Sequence, residues 1–135
     1  MNMKKIYEVT VDDNGRKEWR MNGELHRESG PAVEMANGGY TWYKNGTIHR
    51  EDGPAVKRVF IFAEDCDYTA WYFEGKLHRI NGPAFEYDDG DKEWYLNGEE
   101  FSEERFNQYI SLINVPDVYI INGKEVTKKE FERVD

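Results

Sequence analysis

Three His-Arg pairs, His26-Arg27, His49-Arg50 and His78-Arg79, contain every histidine of the chain. Histidine serves as a base or metal ligand near neutral pH, and arginine as a two-pronged fork for phosphate. A ladder of such pairs along one face suits a nucleotide or another phosphorylated ligand. The same pairs also suit a plainer task, bonding the turns of their own repeat. The plainer task is preferred, because identical residues in every copy mark a repeated structural job, whereas catalysis needs one asymmetric constellation. The histidines stand 23 and 29 residues apart, which is no zinc spacing, and the one cysteine, Cys66, is remote from them in sequence.

Other chemistry is sparse. The chain has no glycine-rich phosphate loop and no serine nucleophile elbow. Cys66 stands beside Glu64, Asp65 and Asp67, a setting that disfavours a thiolate nucleophile. One cysteine excludes an internal disulfide and suits a reducing cytosol. No catalysis, metal or cofactor is expected. The Asp-rich stretch lacks the glycine and glutamate spacing of a calcium-binding EF-hand loop.

Charge is unevenly placed. The net charge is −9, yet residues 1–84 contribute only −1 and residues 85–135 contribute −8. Between residues 86 and 104 stand nine acids and a single base, Lys92. A turn at Asp89-Gly90 would group Asp88, Asp89 and Asp91; the next turn leads into Glu99 and Glu100, and a helix start adds Glu103 and Glu104. If these tips share one edge of a meander, the seven acids form one patch that docks on a basic protein surface. The competing reading is a solvated face that maintains solubility. The negative charge argues against nucleic acid and anionic lipid as direct partners.

Trp19, Trp42, Trp71 and Trp94 are all the tryptophans of the chain, spaced by 23, 29 and 23 residues. Each precedes a turn: Asn22-Gly23, Asn45-Gly46, Glu74-Gly75 and Asn97-Gly98. After the first three turns come His-Arg and then Gly30-Pro31-Ala32, Gly53-Pro54-Ala55 and Gly82-Pro83-Ala84. Asn-Gly favours a type I′ hairpin, because both central residues need positive φ. Gly-Pro belongs at a strand start, where the missing N–H is not needed. A second set of turns, Asn14-Gly15, Asn37-Gly38 and Asp89-Gly90, ends four residues before a tryptophan. One unit runs six residues longer, through Val59-Phe60-Ile61-Phe62 and Ala63 to Asp67, and is expected as an elongated hairpin at about 57–70. In Trp42-Tyr43, Trp71-Tyr72 and Trp94-Tyr95 neighbouring rings face opposite sides of a strand. Tyr43, Tyr72 and Tyr95 are therefore candidate exposed aromatics, unless the sheet curls and buries both faces.

The unit Trp-x-x-[Asn/Glu]-Gly-x-[Leu/Ile]-His-Arg-x-x-Gly-Pro-Ala resembles the MORN repeat, and more closely the MORN-like, antitoxin-type repeat of small bacterial, phage and large-DNA-virus proteins. The resemblance covers roughly Trp19 to Phe106. It implies scaffold or lipid-head-group binding for MORN proteins, and neutralisation of a protein for the antitoxin-type set.

The expected architecture is all-β: one domain over residues 1–135, an elongated, twisted antiparallel meander of hairpin repeats. Residues 1–18 form an opening hairpin with Tyr7–Val11 as its first strand, and residues 19–101 the repeats. Residues 102–135 form one or two short capping helices around a last hairpin. Ser102 is the expected N-cap of a helix carrying Phe106, Ile110 and Ile113 on one stripe and stopping before Val115-Pro116. Thr127 to Glu130 reads as a second capping box, with Phe131 matching Phe106. No apolar run reaches the roughly 18 residues of a membrane span, and the N-terminus lacks a signal-peptide stretch. The expectation is a cytoplasmic protein, in the bacterial host if phage-encoded. It captures and inhibits another protein, in counter-defence or as an antitoxin. A nucleotide binder using the His-Arg ladder and a scaffold or lipid-surface protein are the alternatives. The oligomeric state is left open.

Overall fold

The structure, a computed structural model, describes residues 4–62, 65–114 and 117–133. The repeats begin with β1 (Tyr7–Val11), β2 (Lys17–Met21), β3 (Glu24–Leu25), β4 (Val33–Glu34) and β5 (Tyr40–Thr41). They continue through β6 (Tyr43–Lys44), β7 (Thr47–Ile48), β8 (Val56–Arg58), β9 (Tyr68–Ala70), β10 (Tyr72–Phe73) and β11 (Lys76–Leu77). The C-terminal third holds β12 (Phe85–Tyr87), β13 (Lys92–Leu96), β14 (Glu99–Phe101), α1 (Glu103–Ile113), β15 (Tyr119–Ile121), β16 (Lys124–Val126) and α2 (Lys128–Glu132). The fold is an all-β antiparallel meander with two short C-terminal helices.

The main ribbon runs in the order β1-β2-β4-β5-β8-β9-β12-β13-β14, with β3 also paired to β2. The short hairpins β6–β7 and β10–β11 lie between its strands in sequence, and backbone bonds join them into a second ribbon. The N–H groups of Gly46, Gly75 and Gly98 each donate, at 2.8 Å, to the carbonyls of Leu25, Ile48 and Leu77 in the preceding unit. Arg50 N–H donates to the Tyr72 carbonyl at 3.1 Å and Arg79 N–H to that of Tyr95 at 3.2 Å.

The two sets of turns differ despite similar sequences. After each tryptophan both turn residues have positive φ, for example Asn45 at 49° and Gly46 at 79°. That is the type I′ geometry expected of Asn-Gly. At Asn37-Gly38 and Asp89-Gly90 only the glycine is left-handed, at 95° and 98°. There the preceding side chain closes the turn, with Asn37 Oδ1 accepting the Gly39 N–H and Asp89 Oδ1 the Asp91 N–H, each at 2.9 Å.

The six-residue insertion lengthens a loop and not the strands. β8 pairs with β9 over only three residues, Val56↔Ala70 to Arg58↔Tyr68. Val59 to Phe62 leave the ladder, so the expected elongated hairpin is a short hairpin with a long connection. Ala63 and Glu64 lie outside the described residues.

Small residues mark where the two ribbons meet. Ala32, Ala55 and Ala84 are each 0% exposed, and the core cluster of Ala55, Val56 and Ala70 is covered by Trp42, Ile48, Tyr68, Tyr72, Leu77 and Phe85. At the C-terminal end Ser102 caps α1, its Oγ accepting the Arg105 N–H at 3.2 Å. α1 ends at Ile113 with Asn114 as its C-cap, before Val115 and Pro116, which are outside the described residues. Of the expected stripe only Phe106 is fully buried; Ile110 is half-buried and Ile113 exposed, so α1 covers β13 and β14 mainly through its first turns. α2 packs on its own hairpin through Phe131 and Tyr119, ring centroids 4.9 Å apart, and Phe131 stays exposed.

Candidate functional site

Each tryptophan of the first three units is a crossing point between the ribbons. The N–H groups of Trp19, Trp42 and Trp71 donate to the carbonyls of Ala32, Ala55 and Ala84 at 2.7–2.8 Å. Their carbonyls accept the N–H groups of His26, His49 and His78 at 3.0–3.1 Å. The adjacent arginine then folds over the ring: the Cζ atoms of Arg27, Arg50 and Arg79 lie 3.9, 4.1 and 4.0 Å from the centroids of Trp19, Trp42 and Trp71. Cation–π attraction holds them there.

The other side of each guanidinium rests on Gly-Pro. Arg27, Arg50 and Arg79 Nη1 donate to the carbonyls of Pro31, Pro54 and Pro83 at 3.2, 3.0 and 3.0 Å. A Cβ on Gly30, Gly53 or Gly82 would stand 2.9, 2.8 or 2.9 Å from the arginine Cζ. Glycine is needed there for space. Acids complete the set: Arg27 binds Glu34 at 2.9 Å and Arg79 binds Glu86 at 2.7 Å. Lys57 occupies the corresponding position beside Arg50, which instead binds Asp52 at 2.9 Å. The bond from Arg50 holds the Asp52 carboxyl below its usual pKa.

The histidine rings point to the next unit. Nδ1 of His26, His49 and His78 accepts the backbone N–H of Asn45, Glu74 and Asn97 at 3.0, 2.9 and 3.0 Å. An accepting Nδ1 is unprotonated, so each ring carries its proton on Nε2. Nε2 of His49 stands 3.4 Å from Glu51. That of His26 is buried without a hydrogen bond, 3.6 Å from Glu28. The ladder residues therefore spend their polar atoms on the fold. They do so across repeat boundaries as well as within their own turns.

Tyr43, Tyr72 and Tyr95 are half-buried and do not form an exposed row, a correction of the expected aromatic face. Tyr72 packs on the core cluster, and burial pushes its phenol pKa up. Tyr95 donates to Glu93 Oε1 at 3.1 Å; burial first, and that bond second, push its pKa up to about 12. The curl that brings the two ribbons together covers both faces.

The seven acids do not form one patch, a second correction. The turn with Asp88, Asp89 and Asp91 and the turn at Asn97-Gly98 lie at opposite ends of the five-residue β13. At about 3.4 Å per residue that strand separates them by some 17 Å. Glu99 and Glu100 run back along β14, and Glu103 and Glu104 belong to the first turn of α1.

The Asp88–Asp91 turn instead meets the insertion. The Asp67 carbonyl accepts the Asp88 N–H at 2.9 Å, and the Asp67 carboxylate accepts the Phe60 N–H at 2.8 Å. Asn37 Nδ2 donates to the Val59 carbonyl at 3.1 Å. Tyr68 roots the loop, with its ring 6.2 Å from Phe60 and 4.5 Å from Phe85. From this base Phe60, Ile61 and Phe62 project, 43, 88 and 64% exposed. Asp65, Asp67, Asp88 and Asp89 line a surface hollow with them. Sequence reasoning missed these three apolar residues as a site. Their signal was there: the one interval of 29 residues among intervals of 23.

Among the described residues no group of three or more His, Cys, Asp or Glu side chains is placed to hold a metal. No described helix is long and apolar enough to cross a membrane. No protein-family model matches the chain, and neither a curated protein nor a solved structure does.

Proposed function

We propose that the protein is a non-catalytic binding module that captures and inhibits a partner protein through its insertion edge. The observation that carries this reading is the exposed Phe60-Ile61-Phe62 segment, rimmed by Asp65, Asp88 and Asp89, at the one place where the repeat is broken. Three adjacent exposed apolar side chains are a liability in water, and a hot spot once a partner covers them. The acidic rim suits a partner whose apolar pocket has a basic border and speeds its encounter. The likeness to antitoxin-type repeats of bacteria and phages supports inhibition as the outcome, with counter-defence and antitoxin roles both fitting, in a bacterial cytoplasm.

The test is affinity capture from bacterial lysate with the wild type and a Phe60→Ser, Ile61→Ser, Phe62→Ser variant. The variant should keep its circular dichroism and melting temperature and lose the captured protein. Equal capture by both proteins overturns the insertion edge as the docking site. The nucleotide reading has less support, because the arginine donors already serve Pro31, Pro54 and Pro83. Absence of a thermal shift with millimolar nucleotides counts against it. The lipid-surface reading is weakened by the net charge of −9.

A further inference from the structure

The first strand leaves one edge of the main ribbon open. β1 stands at the end of the strand order, and all five of its residues are exposed. At the other end α1 packs on β13 and β14 and buries Phe106.

Register decides which backbone groups of β1 are free. Asp12 N–H donates to the Arg16 carbonyl at 3.0 Å, and Asn22 N–H to the Ile6 carbonyl at 2.8 Å. Even-numbered residues therefore exchange bonds with β2. Antiparallel pairs alternate, so the N–H and C=O groups of Tyr7, Val9 and Val11 point away from the sheet. The side chains of the same three residues share one face. They are 55, 54 and 61% exposed. A strand edge with an apolar row and no proline is a template for another strand.

We propose that β1 pairs with β1 of a second copy of this chain, antiparallel about a two-fold axis at Val9. Val9 then faces the partner's Val9, and Tyr7 faces the partner's Val11. These pairs use the outward groups, about six hydrogen bonds in all, and set one apolar row against the other. Glu8 faces the partner's Thr10, so no like charges oppose. The flanks fit as well: Lys5 faces the partner's Asp13, and symmetry repeats that pair at the other end. Both residues are exposed. Moving the axis by two residues, the smallest step that preserves the bonding pattern, breaks both Lys5–Asp13 pairs and shortens the apolar row. Parallel pairing sets Lys5 beside its own copy. The charges and the bonding pattern thus select the same arrangement. It does not depend on the partner-capture reading, which uses the insertion edge.

Sedimentation equilibrium of the purified chain at low salt, up to about 0.2 mM, should show a monomer–dimer equilibrium. Val9→Lys puts two ammonium groups at the axis and should leave only monomer, with unchanged circular dichroism. Lys5→Asp should weaken the dimer about tenfold, and Lys5→Asp with Asp13→Lys should recover most of that loss. A wild type that stays monomeric over this range overturns the proposal. So does a dimer indifferent to Val9→Lys, or a charge reversal with no recovery in the double variant.

Discussion

The Nδ1 atom of His49 accepts the backbone N–H of Glu74 at 2.9 Å, so a side chain of one repeat holds the turn of the next. The residue it holds is left-handed, with φ of 49°. His26 and His78 do the same for Asn45 and Asn97. The first turn has no histidine before it. There the Ile6 carbonyl accepts the Asn22 N–H at 2.8 Å, and Asn22 Oδ1 accepts the Ile6 N–H at 2.9 Å. The array is tied neighbour to neighbour, which is how repeat proteins accumulate stability.

Burial should rank the histidines. His26 is 4% exposed, so His26→Ala leaves the Asn45 N–H poorly solvated and should cost about 1–3 kcal/mol. The bonds of His49 and His78 are exposed to water, and their alanine variants should cost about 0.5–1.5 kcal/mol. Urea denaturation of the three variants measures the order. No loss of stability in any of them would return the ladder to consideration as a ligand site.

Arg50 and Gly53 should be coupled. A methyl group on Gly53 meets the guanidinium at 2.8 Å and should push it off Trp42. Gly53→Ala is expected to cost about 1–2 kcal/mol in the wild type, the sum of a lost cation–π contact and a lost hydrogen bond. In an Arg50→Ala background the same change should be neutral or slightly stabilising. Additive costs in the double-mutant cycle would deny the contact.

Glu74 occupies a position held by asparagine in the other turns of its type, at φ 49–52°. Asparagine tolerates this region better, so Glu74→Asn should stabilise the protein by about 0.5–1 kcal/mol. Thermal unfolding reads the gain, and a lower melting temperature would contradict it.

Tyr95 predicts alkaline lability. Its pKa rises from the usual value near 10 to about 12 in the folded chain. Between those pH values the unfolded chain sheds the proton and the folded chain keeps it. Stability is therefore full below pH 10 and falls as pH rises toward 12. Tyr95→Phe should flatten part of that fall in denaturation midpoints taken from pH 9 to 11. Tyr87, also raised, by burial and then Glu93, should retain the remainder. An unchanged slope in Tyr95→Phe would place the proton elsewhere.

Splitting the acids gives a fifth expectation, tied to partner capture. Changing Asp88, Asp89 and Asp91 to Asn should slow association at low salt, because these charges rim the insertion. Changing Glu99 and Glu100 to Gln should leave the rate as it was. Surface plasmon resonance with the captured partner distinguishes the two sets, and equal slowing by both would restore a single acidic surface.

Much of the fold was legible before any coordinates. The Trp spacing set the repeat, and Asn-Gly set turns with two left-handed residues. Ser102 set the start of α1. Each depends on the conformational preferences of residues adjacent in the chain, and such preferences act before tertiary contacts form. The exclusion of a zinc or catalytic centre at the histidines likewise came from counting identical copies.

Tertiary structure decided everything that depends on which strand lies beside which. Most strands between the turns are only two or three residues long, too short for side-chain alternation to specify their neighbours. The histidines could therefore be placed on turns but not on the turn of the following unit. The glycine of Gly-Pro could be assigned to a strand start but not to the underside of an arginine. Asp89 and Asn97 looked like neighbouring tips until β13 put them at its two ends. Tyr43, Tyr72 and Tyr95 looked exposed on an isolated strand, and the curl of two ribbons half-buried them. Phe60, Ile61 and Phe62 read as strand by composition. No partner strand covers them, and water exposure followed from that missing neighbour.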